Sequence, residues 1–168
     1  MAAHQDHRPS WDSTFVDITK TISRRSTCAR IQTAALVVKD NRIISMGYNG
    51  VERGSQHCVD YFKEVCGNRD YQTYLQSQEF LDEHHAWADK NEFHGEQNAI
   101  LYAAKTGVPT DATTMYTLYS PCLFCAKVIV TAGIVRVVYH TQYDRSTDGI
   151  DFLRKHNIEC CKFEDSGE

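Results

Sequence analysis

Four residues carry most of the chemistry this chain can do: His94 and Glu96 in the run HGE, and Cys122 and Cys125 in the run PCLFC. Cysteines three apart at the opening of a helix turn both sulfurs the same way, and the helix N-terminus favours their thiolate forms. An isolated C-x-x-C is compatible with metal binding, redox exchange or the burial of two small residues. His94 and Glu96 shift that balance towards a metal. They stand just before a helical run and lie about 200° apart if helical, too far round to share one lateral face. From the helix mouth, His94 can supply a nitrogen ligand while Glu96 reaches a fourth coordination position without filling it. Three protein ligands and a water are the arrangement of a catalytic zinc, which lowers the pKa of that water towards about 7. Glu96 is then placed to take a proton from the water and deliver it to a reacting group.

These residues need a scaffold that brings two helix openings together. Trp11, Phe15, Ile18 and Ile22 recur at helical spacing, predicting an amphipathic first helix over 11–26. The runs 35–39 and 42–48 are apolar and β-prone around Asp40-Asn41, a hairpin signal, and GYNG at 47–50 ends the second strand in a turn. Residues 51–93 lack clear periodicity and read as an insertion of short helices and loops. The run NAILYAAK at 98–105 is helical, with Gly107 and Pro109 as its stop. Strands at 113–119 and 135–141 enclose a helix at 122–132, which implies a right-handed parallel crossover. A helix at 148–155 and a strand at 158–163 complete a mixed sheet of about five strands flanked by helices, counted from these segments.

The chain has 168 residues, the length of one compact domain, so a single domain over 1–168 is expected, with 1–10 and 164–168 flexible. A net charge of −4 disfavours a polymeric nucleic acid as partner, because such proteins displace counterions with a basic stripe. One or two arginines still suffice to hold a single phosphate. No apolar run has the length of a membrane span, and MAAHQDHRPS lacks the core of a secretory signal. A cytoplasmic location is expected. Seven cysteines, an odd number, then read as thiols or metal ligands rather than disulfides.

H-x-E with P-C-x-x-C is the signature of zinc deaminases. The sequence resembles the deoxycytidylate (dCMP) deaminase branch of the zinc-dependent cytidine deaminase superfamily. The resemblance runs through Ser26-Thr27-Cys28-Ala29-Arg30, GYNG at 47–50, QNAI at 97–100, SPCLFCAK at 120–127 and Tyr143-Asp144. It implies a three-layer α/β/α cytidine-deaminase-like fold and hydrolysis of dCMP to dUMP and ammonia, supplying dUMP for thymidylate synthesis. His94, Cys122 and Cys125 would hold the catalytic zinc. Glu96 would shuttle the proton to N3 of the pyrimidine and then to the ammonia leaving C4. The Gly95 N–H would bind the pyrimidine O2, the Ser120 carbonyl the amino group, Asn49 the deoxyribose and Arg30 the 5′-phosphate, with Tyr143 lining the pocket.

The phage-type members of this branch carry a second, structural zinc, and the resemblance implies Cys28, Cys58, His84 and Glu92 as its ligands. His85 or Cys66 could replace one of them. The resemblance also implies a homo-oligomer, often a hexamer, activated by dCTP and inhibited by dTTP through Gly47, Tyr48, Asn49 and Gly50, with Mg(2+) accompanying a triphosphate effector. Three positions depart from the family pattern: Gly95 where Ala is usual, Thr33-Ala34-Ala35 where Val-Gly-Ala is common, and Leu118 where Thr often precedes the Pro-Cys pair. Gly95 keeps its N–H but lacks a methyl near the base, which predicts extra room for a 5-substituted cytosine. Two other readings stay open: a deaminase of another cytosine nucleotide such as dCTP, and a non-catalytic zinc-stabilised binding module.

Overall fold

A computed structural model describes residues 8–143 and 146–165. Asp144 of the Tyr143-Asp144 pair, residues 1–7 and residues 166–168 lie outside the described residues. The first helix, α1 (Trp11–Ser23), is capped by Ser10, whose Oγ accepts from the Ser13 N–H at 3.1 Å. It ends a turn before the expected boundary. Trp11 is exposed and stacks on Phe15, so Phe15 and Val16 carry the buried stripe. Strands β1 (Ala34–Lys39) and β2 (Arg42–Tyr48) form the hairpin. Both of its turn residues, Asp40 and Asn41, have positive φ, as a two-residue primed turn requires.

The insertion is more helical than its sequence suggests, with α2 (Cys58–Cys66), α3 (Tyr71–Leu75) and α4 (Gln78–Asn91). Weak amphipathicity hides α4, because it covers a satellite core through Phe80 and His84 rather than lying along the sheet. Then follow α5 (Gly95–Thr106), β3 (Thr114–Tyr119), α6 (Leu123–Thr131), β4 (Arg136–Thr141), α7 (Asp148–Lys155) and β5 (Glu159–Lys162).

The five strands form one mixed sheet in the order β2-β1-β3-β4-β5. β1 is antiparallel to β2 and β3, while β3, β4 and β5 run parallel. Alternation along the strands divides the core. Leu36, Val38, Tyr116 and Val138 face α1, whereas Ala35, Val37, Met115 and Val137 pack with residues of α5, α6 and α7. This gives three layers, α/β/α. Arg136 fastens α1 to the sheet with a two-pronged ion pair to Asp12, at 2.9 and 2.7 Å, and the Tyr116 hydroxyl donates to the same carboxylate at 2.6 Å. At the C-terminal end, Asp165 accepts from Lys20 at 3.1 Å and lies 2.8 Å from His140 Nε2. No helix among the described residues is long and apolar enough to cross a membrane.

Candidate active site

Two helix openings meet on the α5/α6 side of the sheet. α5 begins at Gly95, three residues earlier than the apolar pattern suggests, and makes His94 its N-cap in extended conformation. The Gln97 side chain holds that cap, its Oε1 accepting from the His94 N–H at 2.7 Å. Just upstream, Gly50 and Phe93 exchange backbone hydrogen bonds of 3.1 and 2.8 Å, which pins the entry to α5 against the end of β2. Asn98 adds a bond from Nδ2 to the Tyr48 carbonyl at 2.8 Å. GYNG and QNAI therefore clasp each other.

Cys122 is the N-cap of α6, its sulfur 3.5 Å from the Cys125 N–H that donates to it. Gly149 of α7 allows that helix to lie directly on the Pro121–Cys122 backbone, where any side chain would collide. The result is a compact donor set. His94 Nδ1 lies 3.3 Å from Cys125 Sγ and 3.6 Å from Cys122 Sγ. A tetrahedral zinc with ordinary Zn–N and Zn–S bonds separates such donors by about 3.6 Å, so the three residues fit the ion without rearrangement.

Electrostatics agree with the geometry. The two thiols share one proton: Cys122 is held down to about 4 by its bond to Cys125, and Cys125 is pushed up by that same bond. His94 is raised to about 9, chiefly by its bond to Cys122. The proton held between thiolate and imidazole occupies the place a metal would take, since zinc binds the thiolate and the neutral ring once that proton leaves. Glu96, on the first turn of α5, is buried, and that burial raises its pKa. A carboxyl so placed passes protons more readily than an exposed one.

A cavity of about 1060 Å³ opens onto this cluster. Arg30, Asn49, Ser120 and Tyr143 all line it, as do His94 and Glu96. Asn49 is already engaged, its Oδ1 accepting from the Thr33 N–H at 2.9 Å and its Nδ2 donating to the Ile31 carbonyl at 2.8 Å. The Ser120 hydroxyl accepts from the Tyr143 N–H at 2.8 Å and from Gln142 at 3.0 Å, fixing the segment that carries Tyr143. Gly47 of GYNG packs against the α5 backbone so closely that a Cβ would stand 2.8 Å from the Asn98 carbonyl carbon. Of that motif, Tyr48 is exposed.

The expected role of Gly95 in base selectivity is not what the packing shows. A methyl at residue 95 would meet Ala34 Cα at 3.0 Å, Ala34 C at 3.1 Å and Ala35 N at 3.2 Å. The absent group therefore faces β1 rather than a substrate. The glycine lets the first turn of α5 lie close on the β1 backbone at residues 34 and 35. Leu118 is half-buried on β3, and nothing in the structure explains it. Sequence reasoning also passed over Phe124, 63% exposed at the cavity wall between the two cysteines, although an aromatic inside a C-x-x-C was a visible signal.

Cys28, Cys58, His84 and Glu92 converge as well, with their ligand atoms within 4.8 Å of one another. Cys66 and His85 are not in the group. Cys28 Sγ lies 3.2 Å from His84 Nε2, and Cys58 Sγ accepts from the Ala29 N–H at 3.3 Å. Cys58 holds the Cys28 thiol down to about 3, while burial pushes Glu92 up to about 8. His84 Nδ1 and Glu92 Oε1 are buried without a hydrogen-bond partner, a cost that a coordinated cation would relieve at the carboxylate.

The family model for the cytidine and deoxycytidylate deaminase zinc-binding region matches residues 9–141. The chain belongs to this deaminase family. It is a zinc-dependent hydrolytic enzyme. The deoxycytidylate deaminase of Enterobacteria phage T4 is 35% identical, over 88% of this chain and 86% of the relative. ComE operon protein 2 of Bacillus subtilis is 38% identical, over 81% and 62% respectively. The crystal structure of the dCMP deaminase from cyanophage S-TIM5 in complex with dCMP and dUMP superimposes with a TM-score of 0.72 at 28% identity, covering 93% of this chain and 98% of that one. The three-layer architecture is that of this cytidine-deaminase-like fold.

Proposed function

We propose that this family member converts dCMP and water to dUMP and ammonia. The observation that carries the reading is the three-donor cluster of His94, Cys122 and Cys125 with the buried Glu96 beside it, at the floor of a cavity large enough for a nucleotide. The phage relatives named for this reaction support the substrate.

Zinc, when bound, supplies an acidified water at neutral pH. Glu96 accepts a proton from the attacking water and delivers it to N3 as oxygen adds to C4. It then transfers the second proton to the amino group, and the C4–N bond breaks to release ammonia. The first N–H groups of α5 have no acceptor within the helix and face the oxygen edge of the pyrimidine, with Gly95 closest to O2. Arg30 holds the 5′-phosphate, the Ser120 carbonyl accepts from the amino group, and Asn49 and Tyr143 shape the sugar and base walls.

Cys28, Cys58, His84 and Glu92 hold a second, structural zinc that ties the 51–93 insertion to the end of α1 within one domain. Exposed apolar residues on β2 (Met46, Tyr48) and α5 (Leu101, Tyr102) support a homo-oligomer. Seven free cysteines support the cytoplasm as the location. Control by dCTP and dTTP, with Mg(2+) on the triphosphate, is a reading carried by family likeness.

Ammonia release from dCMP, dCTP, deoxycytidine and 5-methyl-dCMP, each with and without dCTP–Mg(2+) or dTTP, tests these statements together. Turnover of dCMP above the other three is the expected result. No ammonia from any cytosine nucleotide overturns the proposal and favours a zinc-stabilised binding module.

A further inference from the structure

Thr33 stands out among residues the mechanism leaves unused. Five buried side-chain polar atoms among the described residues have no hydrogen-bond partner, and two of them, on His84 and Glu92, belong to the four-donor cluster. Of the other three, only the Thr33 hydroxyl belongs to a residue of the cavity wall that also carries His94, Glu96 and Asn49. Its backbone is fixed on both sides, the N–H donating to Asn49 Oδ1 at 2.9 Å and the carbonyl accepting from the Asn49 N–H at 3.1 Å. The next residue, Ala34, packs against Gly95 at the mouth of α5. Thr33 thus lies between the asparagine and the helix opening, and its hydroxyl is its one uncommitted polar group.

We propose that the Thr33 hydroxyl is a substrate-binding group that donates to the 2-carbonyl of the pyrimidine nucleotide. The assignment rests on the reading above, in which the Gly95 N–H faces the same carbonyl. A buried hydroxyl with no partner is unfavourable in the ligand-free protein, and a ligand that pairs with it gains the difference. The hydroxyl is closed to water in the free chain, so a turn of χ1 between staggered wells presents it to the bound base. A neutral hydrogen bond of this kind corresponds to about 3–10-fold in affinity.

The test uses zinc-loaded full-length wild type, Thr33→Val and Thr33→Ser. Calorimetry gives Kd for dUMP and for 2-thio-dUMP, steady-state kinetics give KM and kcat for dCMP, and thermal melts without ligand report stability. Valine keeps the shape and removes the donor. It is expected to weaken dUMP and raise KM for dCMP by about 3–10-fold, leave kcat within about twofold, and leave the ligand-free Tm unchanged or higher. Serine keeps wild-type affinity, and the gap between wild type and valine narrows with 2-thio-dUMP. Equal dUMP affinity for wild type and Thr33→Val overturns the inference, leaving the hydroxyl as an unpaired packing group. A gap undiminished by sulfur places the contact elsewhere on the nucleotide and overturns the 2-carbonyl assignment. Wild-type ammonia release from dCMP is scored separately, so failure of the proposed function is distinguishable from failure at Thr33.

Discussion

The two donor clusters differ in how many protein groups they offer and in where those groups come from. His94, Cys122 and Cys125 stand at two helix openings, packed against one another on the same sheet face. Cys28, Cys58, His84 and Glu92 come from the loop after α1, the start of α2, the middle of α4 and the residue that caps its end. Three donors leave a metal with an open position for chemistry, while four close it. The open set has a short-range logic that two motifs can carry. The closed set joins distant segments, so a metal held there would order the insertion around Phe62 and Phe80. Both clusters adjoin the same cavity, and only one residue, Phe93, separates Glu92 from His94.

Replacing Glu96 by Gln sets the contrast most sharply. It should cut ammonia release by about 10²–10⁴-fold while zinc content stays at the wild-type value, since Glu96 is not counted among the donors. Loss of zinc in that variant breaks the distinction between an open cluster and its proton carrier. Cys58→Ala acts on the closed cluster. It should remove one ion, lower stability by roughly 3–5 kcal/mol through the unneutralised buried Glu92 and Cys28, and admit a protease to 51–93. Metal content and proteolysis that match the wild type would exclude a metal role for these four residues.

Gly95→Ala separates packing from selectivity at the open site. The methyl meets the β1 backbone, so stability should fall by about 1–3 kcal/mol, with the ratio of 5-methyl-dCMP to dCMP turnover unchanged. A changed ratio at unchanged Tm would return the glycine to the base pocket. Asp12→Asn is the control on the opposite face of the sheet. Its Arg136 partner holds the Asp12 carboxyl below the usual range, so the ion pair stabilises the fold above the ordinary carboxylate pKa and is lost as pH falls through the lower, folded value. Melts should therefore show a deficit under about 1 kcal/mol at pH 7 that closes below about pH 4, with both metal contents intact.

Much of the sheet and the opening of α6 were legible because their signals are local. Asp40-Asn41 announces the hairpin, an apolar β-prone run marks Arg42–Tyr48, and a Pro before Cys122 with Gly133 beyond brackets α6. The start of α5 was not legible from apolar spacing, since its first turn is polar and its N-cap is a histidine held by Gln97. α4 escaped for a related reason: its buried face meets a small cluster inside the insertion, so the periodic signal is weak.

By itself the sequence determined the reaction centre, because H-x-E and P-C-x-x-C bring nitrogen, sulfur and carboxylate donors to helix mouths with spacing that few other uses require. Tertiary structure alone decided what those motifs lean on. The direction of a missing methyl at Gly95, the engagement of Asn49 with residues 31 and 33, and the unpaired hydroxyl of Thr33 depend on which backbone lies across from each residue. Packing against β1 sets those partners, and residue identity along the chain does not encode them.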